Sequence, residues 1–141
     1  MSMKNLSDQF YVGPQIEIDD VEDLQISGIQ SVICLRPDGE GPSQPVFEAL
    51  KTQAASLELA ALYLPIVPGQ ISNAQIAKFA DMVTKSPGPI FAYCRSGMRA
   101  TALWALHQAQ IGQPVDDILS AAKSAGHDLT ALTPRLSAAA L

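Results

Sequence analysis

The chain has 141 residues, 48% of them hydrophobic and 16% charged, which is apolar material for one compact core and too short a chain for a second. Nine Lys and Arg against 14 Asp and Glu give a formal net charge of -5, which excludes a general polyanion partner, because a nucleic-acid binder needs a basic face to neutralise phosphates. The first residues carry no apolar core of signal-peptide length, and nowhere do about 18 apolar residues run together, so the expectation is a cytoplasmic chain with no nucleic-acid and no membrane partner.

In chain order, Phe10-Tyr-Val-Gly13 reads as a first strand closed by Gly-Pro, and Asp19 or Asp20 caps a short helix through Leu24 that ends at Gly28. Ser31-Val-Ile-Cys-Leu-Arg36 is too continuously apolar for a half-exposed strand and is expected at the centre of a sheet. From Pro37 to Pro45 the chain is a cluster of turn residues, a loop at the strand's C-terminal end. Val46 to about Leu59 reads as a helix. Leu62 to Val67 reads as a strand that Pro65 confines to an edge or a strand end.

Ser72 is an N-cap for a helix whose Ile76, Phe79, Ala80 and Val83 form one apolar stripe, stopped by Pro87-Gly88-Pro89. Ile90 to Tyr93 is a strand leading into Cys94, and a helix runs from Ala100 until Gly112 and Pro114 break it. Val115 to Ala125 is a helix with Asp116 and Asp117 in its first turn, closed by Gly126, and Leu129 to Leu141 is weakly helical. Strands alternating with helices imply an α/β layer with a mostly parallel sheet, whose ligands lie beyond the carboxyl ends of the strands. Both the Pro37 loop and the loop after Tyr93 belong at that edge.

That second loop, Cys94-Arg95-Ser96-Gly97-Met98-Arg99, carries the chemistry. A loop between a strand and a helix N-terminus presents unpaired N–H groups and the positive end of the helix dipole, which together bind anions. A cysteine at its head with arginines beside it favours the thiolate, the reactive form. Arg99 can hold an oxyanion with two parallel hydrogen bonds, Ser96 adds a hydroxyl, and Gly97 lets the backbone turn inward. The expected catalytic pair is Cys94 and Arg99, with Arg95, Ser96, Gly97 and Met98 as the anion-binding loop and a small anion as substrate. Cys34 reads as a buried strand residue. His107 and His127 lack the spacing of metal ligands, so neither metal nor cofactor is expected. Arg36 either points toward the anion site or pairs with Asp38 or Glu40.

The segments Leu35-Arg-Pro-Asp-Gly-Glu40 and Tyr93-Cys-Arg-Ser-Gly97 resemble the beta-lactamase-hydrolase-like phosphatase-like family, and the likeness runs from Phe10 to about Gly126. The resemblance implies a single catalytic domain over residues 1–141 with a tyrosine-phosphatase-like fold: a mostly parallel central sheet of four or five strands flanked by helices. Two departures bear on its activity. Four residues separate Cys94 from Arg99, where the tyrosine phosphatases have five, and the shorter loop is similar to that of single-domain rhodaneses. The phosphatases also place an acidic residue on a loop well before the cysteine, and between Leu59 and Lys78 there is no Asp or Glu. Asp38 or Glu40 is the candidate general acid, with turn chemistry as the competing role.

Sulfite needs no proton to leave, so the balance falls on sulfur transfer from thiosulfate or a persulfide through Cys94. The alternative is a phosphatase acting on a phosphate ester through a cysteinyl-phosphate, and a second alternative is a non-catalytic anion-binding or redox-sensing module. The family resemblance also implies a persulfide-oxidising enzyme as a partner, expected here as a separate protein.

Overall fold

The computed structural model describes residues 1–139. Five strands, β1 (Lys4–Ser7), β2 (Phe10–Gly13), β3 (Ser31–Cys34), β4 (Ala60–Tyr63) and β5 (Ile90–Tyr93), form one sheet in the order β1-β2-β5-β3-β4. β2, β5, β3 and β4 are parallel, and β1 alone runs antiparallel, against β2. This is the α/β, mostly parallel architecture expected from the alternation of elements.

β3 and β5 are buried along their whole length, as their continuous apolar runs require of strands covered on both faces. β4 starts two residues earlier than its sequence suggests and stops before Pro65, because Ala60 pairs with Ser31 and the proline has no N–H to give the ladder. β1 was not legible as a strand. Only its Leu6 is buried, and it exists because β2 would otherwise leave an unpaired edge one tight turn away.

Six α-helices cover the sheet: α1 (Asp20–Ile26), α2 (Phe47–Ser56), α3 (Asn73–Lys85), α4 (Met98–Gln110), α5 (Val115–Ser124) and α6 (Thr133–Ala139). Strand side chains alternate between faces. Ile33, Leu35, Ala92 and Cys94 join a core with Ile76 and Phe79 of α3 and Leu103 and Leu106 of α4. Val32, Cys34, Phe91 and Tyr93 face a smaller core closed by Val21 and Leu24 of α1 and Phe47 and Leu50 of α2.

Ser72 caps α3 as expected, its Oγ accepting from the Gln75 N–H at 3.1 Å while Gln75 Oε1 accepts from the Ser72 N–H at 2.8 Å. Phe79 on that helix is fully buried, a contribution of about 2 kcal/mol. α4 is buried nearly all round because α3, α5 and α6 pack against it, and its alanines let them approach. Of the C-terminal stretch, Leu136 is fully buried in the α4-side core, whereas Ala140 and Leu141 lie outside the described residues. Among the described residues no helix is long and apolar enough to cross a membrane.

Candidate active site

β5 sits between β2 and β3, so the residue that follows it emerges at the centre of the sheet's carboxyl edge. That residue is Cys94. Its N–H donates to Gly13 O at 3.4 Å, and the Gln15 N–H donates to Arg95 O at 3.2 Å, which ties the loop's entrance to the segment after β2. α4 begins at Met98, two residues sooner than the sequence pattern suggests, because Gly97 acts as its N-cap with φ +97°.

Glycine is required there twice over: the left-handed backbone disfavours a side chain, and a Cβ would lie 3.1 Å from His127 Nε2 and 3.4 Å from Gly13 C and O. The turn directs the Gly97 N–H onto Cys94 Sγ at 3.1 Å. The first turn of α4 points at the same sulfur, so its dipole adds to the positive potential there. Ser96 Oγ accepts from the Met98 N–H at 3.3 Å, which leaves its hydroxyl hydrogen free to point outward. Arg95, Ser96 and Met98 are exposed on the crest of the loop, while Cys94 has no exposed surface.

Arg99 is only 7% exposed. Its Nη1 donates to Glu40 Oε2 at 2.8 Å and to Ile66 O at 2.8 Å, and its Nη2 donates to Glu40 Oε1 at 2.6 Å, a two-pronged pairing. Burial works against the guanidinium's charge, but the Glu40 hydrogen bonds and the nearby Cys94 outweigh it and hold the arginine above its ordinary value. Arg36 Nε reaches the same Glu40 oxygen at 3.0 Å and its Nη1 reaches Gln15 Oε1 at 3.1 Å, so Arg36 pairs with Glu40. Gly41 makes room for this arginine, since a Cβ there would lie 2.5 Å from Arg36 Nη2.

Each of the two candidate acids has a hydrogen-bonding role of its own. The hydrogen bond from Arg99, aided by Arg36, holds the Glu40 carboxyl below the usual carboxylate range, so at neutral pH it has no proton to donate. Asp38 Oδ1 accepts from the Phe47 N–H at 2.9 Å and serves as a remote cap for α2, which has no cap of its own at Val46. Cys34 lies on the opposite face of the sheet from Cys94, its thiol directed to Arg36 O at 3.5 Å and pushed up by burial, and the two sulfurs face different cores.

Beside the loop is a cavity of about 430 Å³ whose walls include Pro68 and Ile71, Arg95 and Met98, and Asp128 and Leu132. Nothing in the sequence pattern singled out Ile71, Asp128 or Leu132, because they come from two segments far apart in the chain, one before α3 and one after α5. Asp128 Oδ1 accepts from the Thr130 N–H at 2.9 Å and from its hydroxyl, which together keep this exposed carboxylate below its ordinary value. His127 packs behind Gly97, and burial lowers its pKa. Among the described residues no three His, Cys, Asp or Glu side chains come together as a metal site.

The model of the phosphatase-like domain of beta-lactamase hydrolase-like protein matches residues 2–111. A beta-lactamase hydrolase-like protein of Agrobacterium fabrum is 32% identical over 134 residues, covering 94% of this chain and 31% of its own length. The chain therefore spans about a third of the length of the curated relatives it matches. A candidate phosphatase from Neisseria meningitidis, solved by crystallography, superposes with a TM-score of 0.88 at 32% identity over 99% of both chains. The core catalytic domain of the PP-IP phosphatase SIW14 from S. cerevisiae, solved with citrate, gives a TM-score of 0.71 at 15% identity over 94% of this chain and 81% of that one, a likeness of fold. The fold is that of the phosphatases.

Proposed function

We propose, on the premise that the chain belongs to the family of phosphatase-like domains of beta-lactamase hydrolase-like proteins, that it hydrolyses phosphate esters through a cysteinyl-phosphate on Cys94. The observation that carries this reading is the pairing of a cysteine sulfur held 3.1 Å from the Gly97 N–H with a buried arginine, Arg99, five residues on and locked by Glu40. The family and its structural neighbours support phosphoryl chemistry over the sulfur transfer that the loop's spacing favours.

In the first step the Cys94 thiolate attacks phosphorus, an S–P bond forms, and the ester P–O bond breaks. The loop N–H groups and Arg99 take up the charge on the phosphoryl oxygens. In the second step water attacks the phosphorus, the S–P bond breaks, the thiolate is restored, and the water's proton passes to solvent. Arg99 and Arg36 hold Glu40 ionised, Thr130 does the same for Asp128, and Asp38 Oδ1 is engaged by the Phe47 N–H. This supports substrates whose leaving group departs unprotonated, such as aryl phosphates and phosphoric anhydrides, over alkyl esters.

Sulfur transfer is kept as a second reading because only four residues separate Cys94 from Arg99, a smaller cradle than five would give. One experiment separates the two. Pure protein and a Cys94→Ser control are incubated with 4-nitrophenyl phosphate, with an alkyl phosphate, and with thiosulfate plus cyanide. Cys94-dependent phosphate release, faster from the aryl ester, is the expected result. Thiocyanate without phosphate would establish sulfur transfer, and no product from any arm would leave an anion-binding or redox-sensing module.

A further inference from the structure

The cavity of about 430 Å³ has the size of a small-molecule site, and it shares Arg95, Ser96, Met98 and Arg99 with the Cys94 loop. An ester whose phosphoryl group is held by that loop therefore has its remaining group against the other walls. Pro68 and Ile71 come from the segment before α3, Ala102 from α4, and Leu129, Ala131 and Leu132 from the segment after α5.

Those walls are apolar and seated on the core. Ala102 and Leu129 are buried in the core on the α4 side, and Ile71 and Leu132 pack against it half-buried. Two hydrogen bonds shape the later segment: Asp128 Oδ1 accepts from the Thr130 N–H at 2.9 Å, and the Leu132 N–H donates to Leu129 O at 2.8 Å. Met98 is 40% exposed, and Val67, next to Pro68, is 49% exposed. Large apolar side chains left in water around a cavity favour an apolar occupant, which removes that surface from water.

The charges narrow the occupant further. Apart from Arg99, which Glu40 holds, the charged side chains lining the cavity are Arg95 and Asp128, one of each sign. Hydrogen bonds from Thr130 keep Asp128 ionised. A second anionic group on the substrate, beyond the reacting phosphoryl group, thus meets no net positive charge there.

We propose that this cavity is the leaving-group subsite of the enzyme, that it takes an uncharged apolar group, and that Ile71 and Leu132 set the preference. The inference rests on the phosphoryl-transfer reading and adds to it which esters are selected. Part of the determinant, from Asp128 to Leu132, lies beyond residues 2–111, the stretch that the family model matches.

The test compares phenyl phosphate, 4-tert-butylphenyl phosphate and 4-carboxyphenyl phosphate, with the Cys94→Ser rate subtracted from each. The first two release phenols of similar acidity, so their difference reports the subsite rather than the ease of departure. The tert-butyl ester is expected to show a kcat/KM about tenfold above that of phenyl phosphate, and the carboxylate ester none above it. Leu132→Asp, which puts a charge on the wall, should cut the tert-butyl advantage to within about twofold. Should that variant fail to fold, Ala131→Trp, at an exposed position, should do the same by occupying the space. In parallel, benzylphosphonate and 4-tert-butylbenzylphosphonate, which are not hydrolysed, are titrated into the full chain and followed by amide NMR. The tert-butyl compound should bind about tenfold more tightly and shift the resonances of Gly69 to Ile71 and Asp128 to Leu132.

Cys94-dependent turnover with equal kcat/KM for the two neutral esters, a preference for the carboxylate ester, or a tert-butyl advantage that survives the variants would overturn the subsite and leave the phosphatase reading standing. No turnover of any ester would overturn that reading instead, and the phosphonates then decide. Equal affinities, or shifts elsewhere, would overturn the subsite as well, whereas the tenfold difference at those residues would retain it as the apolar half of an anion site.

Discussion

The two loops that meet at the carboxyl edge of the sheet are built by opposite means. The Cys94 loop is made locally: Gly97, three residues after the cysteine, turns its own N–H back onto the sulfur and starts α4. The loop after β3 is held from a distance, since Glu40 takes its shape from Arg99, fifty-nine residues later, with Arg36 as a second clamp. An anion site can be written in six consecutive residues, but the charge balance that holds its arginine comes from elsewhere in the fold.

Arg99 is where the two loops touch, so altering it should have the largest effect. Arg99→Lys keeps the charge but loses the planar fork that binds Glu40 through two nitrogens and offers paired donors to an oxyanion. A fall in kcat/KM for an aryl phosphate on the order of 10²- to 10³-fold is expected, with a folded spectrum retained. A fall smaller than tenfold would mean that Arg99 serves only to anchor the loop after β3.

Gly97→Ala tests the local half alone. A side chain at φ +97° that also meets His127 and Gly13 should destabilise the chain by about 1–3 kcal/mol. Because the N–H to Cys94 moves with it, turnover should fall on the order of 10²-fold. Thermal unfolding and kinetics on the same sample check the pair. Lost stability with unchanged turnover would show that the hydrogen bond to the sulfur is incidental.

The same division explains what could be read from the sequence. β3 and β5, the Ser72 cap, the stripe on α3 and the order of the Cys94 loop are signals within a dozen residues, and they locate the sheet's centre and the candidate site. The start of α4 was misplaced by two residues because Gly97 caps without a side chain. β1 is nearly all polar and takes its structure from the open edge of β2. The pairing of Glu40 with Arg99, His127 behind Gly97, and the wall from Ile71, Asp128 and Leu132 exist only once the chain has folded back, and no periodicity announces them. Asp38 and Glu40 looked alike as turn carboxylates, yet one caps a helix and the other clamps two arginines.

Glu40→Gln removes the long-range half while leaving the Cys94 loop intact. Two guanidiniums would then share a site without a counter-charge, which should cost about 1–2 kcal/mol, less than a fully buried pair because the Glu40 side chain keeps 23% of its surface in solvent. Turnover should fall about tenfold as Arg99 loses its second point of attachment. The pH dependence provides a separate check. Arg99 and then Arg36 depress the folded Glu40 pKa below the unfolded value of about 4.3, so this stabilisation is full above that value and disappears as pH falls through the lower folded one. Denaturant midpoints from pH 7 down to pH 3 should drop more steeply in the unaltered chain than in Glu40→Gln. Parallel curves would mean that the clamp contributes no net stability.

Asp38→Asn should do least, and its smallness is what makes it informative. The amide oxygen can still accept from the Phe47 N–H, so α2 keeps its remote cap and stability should change by no more than about 0.5 kcal/mol. Asp38→Ala, which cannot accept, should cost about 1 kcal/mol and mark the bond's contribution. Turnover of an aryl phosphate should stay within about threefold in both, whereas loss of a general acid lowers rates on the order of 10²- to 10⁴-fold. A large loss of turnover in Asp38→Asn, with the helix still capped, would move this carboxyl from structural support into the reaction. Unchanged turnover in both variants would leave the chemistry to the Cys94 loop and to the ease with which the leaving group departs.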